Sequence, residues 1–257
     1  MALIDTKDTK DTERICFVSF VSFVSSVLIV LATVASYALG WFLNVPILIP
    51  LFNVAASYPF MILALKRGDL GVAIARMLLW ALTMGLCAML LSYVRPAATD
   101  TLFLRGEAYR VEMFGWVMTG SGAESTPSVF VPQQLLQTSV FAVLALVTGG
   151  VLAMPMGAAL MNYMGHYVGS LAANSRQPML TMLLAWHPWS VIRIVSFVIL
   201  GVVLSVPLVS RVTRLTIDRR AARTFKIAAC AGLLADLILK ALLAPAWQRL
   251  LLRVVGW

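Results

Sequence analysis

An all-α, polytopic membrane helix bundle is the fold class this sequence predicts, and three observations carry that reading. Hydrophobic residues make up 61% of the 257, charged residues only 12%, and the mean hydropathy is +0.91. A soluble domain carries about 25% charged residues. Six apolar runs reach the roughly 20 residues that a spanning helix needs. They are 16–42, 46–65, 72–94, 135–154, 190–209 and 227–246, with a weaker seventh at 155–173. Finally, six basic residues (Arg211, Arg214, Arg219, Arg220, Arg223, Lys226) crowd one 16-residue connector, whereas 134–175 holds no acidic or basic residue in 42 positions. Short basic loops stay cytoplasmic, so this unevenness fixes the threading.

Residues 1–14 form a polar N-terminal tail containing the repeat DTKDTKDTE, which is read as unstructured until the membrane begins. The apolar run from Ile15 to Leu43 is too long for the 7–15-residue core of a signal peptide and lacks its positive flank. It is read as a retained anchor, the first of three membrane helices in 15–94. Within it, FVSFVSFVS puts Phe17, Phe20 and Phe23 on one side and Ser19, Ser22 and Ser25 on another. Such small hydroxyl residues let helices approach closely in lipid.

Residues 95–133 read as one extracytoplasmic loop carrying a short interfacial helix. Tyr109, Phe114 and Trp116 stand among Arg105, Glu107, Arg110 and Glu112 there, a mixture suited to headgroup depth. These three aromatics are the expected docking surface for a partner. Pro132 is read as preceding the next span.

The C-terminal region, 134–257, holds three or four membrane helices. A hairpin over 135–173, turning near Pro155 and Gly157, settles the charge balance. With it, and with the N-terminus cytoplasmic, twelve basic residues fall inside and six outside. Without it the two sides hold nine each. Seven crossings therefore fit better than six. Gly165 and Gly169 make a small-xxx-small packing face that Ala173 continues. Asn53 and Asn162, single polar groups in apolar runs, are expected to bond between helices.

Asp236 and Lys240 lie mid-span at i, i+4 spacing and so share a helical face. Ionisable groups at this depth are costly unless paired, and the spacing points to an intramembrane charged pair. Arg193 joins them if the last two helices pack together. His166, in NYMGHYVG, and His187, in AWHPWS, are candidate axial ligands for haem or a chlorin. Beside that reading stands the structural one, interface or packing histidines. Cys16, Cys87 and Cys230 are far apart, with no CxxC and no metal-ligand spacing. No metal site is expected. The net charge of +9 sits in short loops, as attraction to anionic lipid requires, and nucleic acid is not an expected partner.

In the second half, VPQQLLQTSVFAVLALVTGG (131–150), NYMGHYVGSLA (162–172), AWHPW (185–189) and RRAARTFKIAACAGLLADLILKALLAP (219–245) resemble the stage II sporulation protein M superfamily of polytopic membrane proteins. The resemblance covers about 115 residues and finds no counterpart for the first three spans. Pro188 replaces the family's glycine, and Val191 stands nearest its missing acidic residue. The family's terminal acidic residue corresponds to Asp236. The kinship implies a scaffold that holds partners in an envelope-remodelling complex.

With no paired-aspartate, HExxH or GxSxG signature, the expected function is a non-catalytic subunit or scaffold of a multiprotein membrane complex. Its partners would be lipids and other membrane subunits, in the bacterial inner membrane. Two alternatives stay open: a transporter or permease component, and a haem- or chlorin-binding subunit.

Overall fold

In hydrocarbon every backbone N–H and C=O must be satisfied within its own segment, so apolar runs become helices. The computed structural model describes the backbone of residues 6–214 and 217–257 and the side chains of 23–214 and 217–257. Those residues form ten helices and no strand: α1 Thr6–Leu43, α2 Leu48–Lys66, α3 Leu70–Val94, α4 Pro96–Leu102, α5 Gly106–Thr119, α6 Pro127–Thr148, α7 Ala153–Ala173, α8 Pro178–Ala185, α9 Pro188–Thr213 and α10 Arg219–Val255. Six are long and apolar enough to cross a membrane: α1 over Phe23–Leu43, and the whole of α2, α3, α6, α9 and α10. The chain is a polytopic helical bundle integral to a membrane.

The helices thread back and forth between two ends. Gly40 of α1 packs on Ile49 at the start of α2, and Arg67–Asp69 turn the chain into α3, where Asp69 caps the Val72 amide. Helix α7 runs parallel to α3, with Gly165 against Ala88 and Gly169 against Met89 and Ser92. Helices α9 and α10 are antiparallel, with Gly232 on Ser196 and Asp236 on Arg193. One end thus gathers the start of α1, the α2–α3 turn, the α6–α7 turn and the α9–α10 connector. We call it the basic end. The other, the capped end, carries α4, α5 and α8.

Helix α7 crosses the bundle but is not among the six helices apolar enough to span a membrane, and its position explains why. Fourteen of its 21 residues are buried, so its polar groups face protein rather than lipid. Its glycines are what admit it. A methyl at Gly165 would lie 2.9 Å from the Gly85 carbonyl oxygen, and one at Gly169 would overlap the Met89 carbonyl. The packing role expected of both residues is what the geometry gives.

Several boundaries differ from the sequence reading. The first helix is continuous from Thr6, so the polar repeat is helical rather than an unstructured tail. Most of the FVSFVSFVS side chains lie outside the described residues, and Phe23 is exposed. The hairpin turn falls on Gly149 and Gly150, with φ of +60° and +92°, not at Pro155 and Gly157. Only glycine adopts such backbone freely. Pro155 sits in the first turn of α7, where its missing N–H would have had no helical partner. Helix α6 begins at Pro127 and contains Pro132, eight residues earlier than the apolar run suggested. Helix α8 was not anticipated. Arg76, counted among the basic-end charges, is turned inward, donating to the Phe60 carbonyl at 3.2 Å.

Candidate functional site

Two ion pairs bridge the bundle below the capped end. Arg193 on α9 grips Asp236 on α10 with two bonds, 2.9 Å from Nε and 3.1 Å from Nη2. The Gln134 amide nitrogen on α6 donates to the same carboxylate. Lys240 Nζ donates to Glu124 Oε1 at 2.8 Å and lies 4.6 Å from the Phe130 ring centre. Sequence spacing pointed instead to an Asp236–Lys240 pair along one helix. That pair does not form, because Arg193 and Gln134 already occupy the Asp236 carboxylate. The lysine takes its acid from the loop after α5. Burial pushes the Glu124 carboxyl up, but the charges of Lys240 and Arg193 outweigh it and hold the group below the ordinary carboxylate range.

That loop belongs to the cap, which corrects the docking surface expected of Tyr109, Phe114 and Trp116. Trp116 is buried, with its indole N–H on Ser125 Oγ at 2.6 Å. Tyr109 stacks on Tyr163 at 5.4 Å, and Phe114 packs on Trp257 at 5.2 Å. Gln248 of α10 donates to the Val117 carbonyl at 2.6 Å. The aromatic side of α5 therefore seals the bundle rather than facing outward. Burying these rings against α7 and α10 removes more apolar surface from water than headgroup contact would.

A second polar network fastens α4 to the same end. Arg110 grips Asp100 at 2.7 and 2.8 Å, and Asp100 accepts from His166 Nε2 at 3.0 Å. His166 Nδ1 lies 2.9 Å from Ser92 Oγ and 3.3 Å from Ser170 Oγ. Burial would raise the Asp100 carboxyl, yet the bonds and charges of Arg110 and His166 hold it low. Ser92, His166 and Asp100 line up as in a hydrolase, but Ser92 and His166 have no exposed surface. The arrangement fits a latch. Axial ligation by His166 would have to break one of these bonds. His187 is stacked on Trp189 at 4.7 Å and meets Trp116 edge-on at 5.2 Å. Burial pushes its pKa down to about 3. Among the described residues no cluster of three or more His, Cys, Asp or Glu is placed to hold a metal ion.

Between α3, α6, α7 and α9, under the cap, lies a chamber of about 190 Å³. Its wall changes character along its length. Near the cap it is lined by Glu124, Gln133, Gln134, Gln137, Arg193 and Lys240. Toward the bundle centre it is lined by Met61, Met77, Met84, Met154 and Met161, with Trp80. Met113 and Met164 bring the total to seven of the thirteen methionines in the chain. Met77 and Met84, like Met154 and Met161, are seven residues apart, so each pair shares a helical face. That spacing was visible in the sequence and went unread.

Of the other expected residues, Asn162 accepts from Tyr37 Oη across α1 and α7. Asn53 is equally buried, with its side chain beside Tyr37 of α1. Compared with protein-family models, curated proteins and solved structures, the chain matches none. Fold and site together define a helical integral membrane protein with an internal amphipathic chamber.

Proposed function

We propose that the protein takes an amphipathic small molecule from the bilayer into this chamber, as a non-catalytic carrier or permease component. One observation carries the reading: a single cavity joins a charged, glutamine-rich end to a methionine-lined end. Ligand sites are concave, mostly apolar and fitted with a few placed polar groups. Methionine walls suit guests of varied shape because the thioether chain repacks easily. The basic end is read as cytoplasmic, in the bacterial inner membrane, since eleven basic residues besides the inward-turned Arg76 belong to it against six at the capped end.

The test is to extract the protein in polymer-bounded discs of native membrane and identify lipids retained in stoichiometric amount by mass spectrometry. Ala153→Phe, which fills the chamber, should abolish retention. Equal lipid content in both forms would sink the proposal.

A second reading, a scaffold subunit akin to the stage II sporulation protein M superfamily, draws support from α8. Its Met179 and Leu183 are 77% and 73% exposed at the capped end. A stoichiometric protein companion after mild extraction would favour it. A monodisperse monomer would count against it.

A further inference from the structure

We propose that the guest of the chamber is a single-chain amphiphile with an uncharged, hydroxyl-bearing head, of which a monoacylglycerol is the simplest example. This rests on the chamber reading above and adds the chemistry of the guest.

The charges facing the polar end cancel. Arg193 is paired with Asp236 and Lys240 with Glu124, so two cations stand against two anions. An anionic head, whether carboxylate or phosphate, would have to break one of these pairs and strand its acid in a buried place. Breaking a buried pair is strongly unfavourable because the partner left behind is uncompensated. Glu112, which also lines the chamber, adds a further negative charge. An ammonium head would meet Glu112 only where that side chain is exposed, and among the buried pairs it would need the same disruption from the other side.

The polar atoms left over ask for a neutral group that both donates and accepts. Gln134 Oε1 is buried without a hydrogen-bond partner. Its orientation is fixed, because the amide nitrogen must face the Asp236 carboxylate, which only accepts. The free oxygen therefore calls for a donor. A hydroxyl supplies one; an ionised carboxylate or a phosphocholine does not. His187 and Trp80 also line the chamber, and their Nδ1 and Nε1 atoms are buried without partners. The indole N–H is a donor in the Met-rich wall, so it calls for an acceptor such as an ester oxygen. Buried polar groups are almost always bonded, and three orphans on one cavity wall mark a polar guest.

Size selects one chain. At roughly 10–15 Å³ of such space per water, 190 Å³ corresponds to little more than a dozen waters. A two-chain phospholipid exceeds that several-fold. A glycerol head with the upper part of one chain fits, the end of the tail leaving through the open side of the chamber.

The test uses three photoactivatable 12-carbon probes of the same chain, a monoacylglycerol, a fatty acid and an alkylphosphocholine, which carries no hydroxyl, on protein in polymer-bounded discs. Detergents are avoided because maltosides carry the proposed head chemistry themselves. The monoacylglycerol should be captured on chamber residues at least about tenfold more than either other probe, since a buried acceptor left unpaired discriminates that strongly. Unlabelled monolauroylglycerol should compete. Gln134→Leu should lose most of that preference; because it also removes the amide bond to Asp236, its thermal midpoint should fall, and capture is compared at a temperature below both midpoints. Preferential capture of the fatty acid or the alkylphosphocholine, or an unchanged preference in Gln134→Leu, would overturn the inference and leave the chamber reading standing. Capture of no probe, or equal capture by wild type and Ala153→Phe, would overturn both.

Discussion

Lys240 reaches across the bundle to Glu124, 2.8 Å away, and not to Asp236 one turn below it on the same helix. Asp236, in turn, belongs to Arg193. Each pair joins elements distant in sequence, so each acts as a tie between helices or between helix and cap.

Removing one member should therefore hurt more than removing two. Asp236→Leu strands a buried guanidinium and should cost about 3–5 kcal/mol. The double change Arg193→Met with Asp236→Leu should recover most of that. Thermal unfolding of the four proteins of the cycle measures the coupling. A second cycle pairing Asp236→Leu with Lys240→Met gives the rival coupling, and a value larger than that for Arg193 would refute the assignment.

The close contact of α3 and α7 makes a contrasting pair of glycine substitutions informative. Gly169→Ala drives a methyl onto the Met89 backbone and should destabilise by about 1–3 kcal/mol. Gly115→Ala in α5 meets nothing within 4 Å and should stabilise by roughly 0.5–1 kcal/mol through reduced chain freedom. Both are read from thermal midpoints, and equal shifts would argue against the parallel packing.

The cap should loosen in acid. His187 binds its proton far less readily folded, at about 3 against 6.5 for a free imidazole. Between those values the unfolded chain holds the extra proton, so stability is complete above about pH 6.5 and falls toward pH 3. One proton sets the limit at about 1.4 kcal/mol per pH unit. The lowered carboxyls of Asp100 and Glu124 act in the same direction but in a more acidic window. His187→Gln should flatten the slope between pH 5 and 6.5 and leave the more acidic fall intact.

Threading is testable with single cysteines in a background lacking Cys16, Cys87 and Cys230. Val151→Cys and Val212→Cys should label from one side of the membrane and Met179→Cys from the other. All three positions are exposed on the protein surface, so silence would not reflect burial inside the protein. Labelling of 151 and 179 from the same side would break the seven-pass path.

Much of this architecture was legible in the chain. Apolar runs gave the spans, the absence of charge across 134–175 gave the hairpin, and the glycines of α7 gave its close packing. What stayed hidden depends on partners far off in sequence. Glu124 and Lys240 are 116 residues apart and His166 and Ser92 are 74 apart, and no local spacing encodes such meetings. The cap was misread for a related reason. A short segment mixing aromatic and charged residues suits a headgroup layer and a folded lid equally, and only the receiving surfaces of α7 and α10 decide between them. Pro155 misled because a proline at a helix start and one that ends a helix look alike without the neighbouring φ angles.

The seven thioethers around the chamber carry a liability that hydrocarbon walls would not. A small oxidant able to enter would add oxygen to sulfur, and each sulfoxide formed is polar and chiral where the parent side chain was neither. The interior would then favour water over an aliphatic tail. In a cell facing peroxide, upkeep of this protein falls to the reductases that restore methionine.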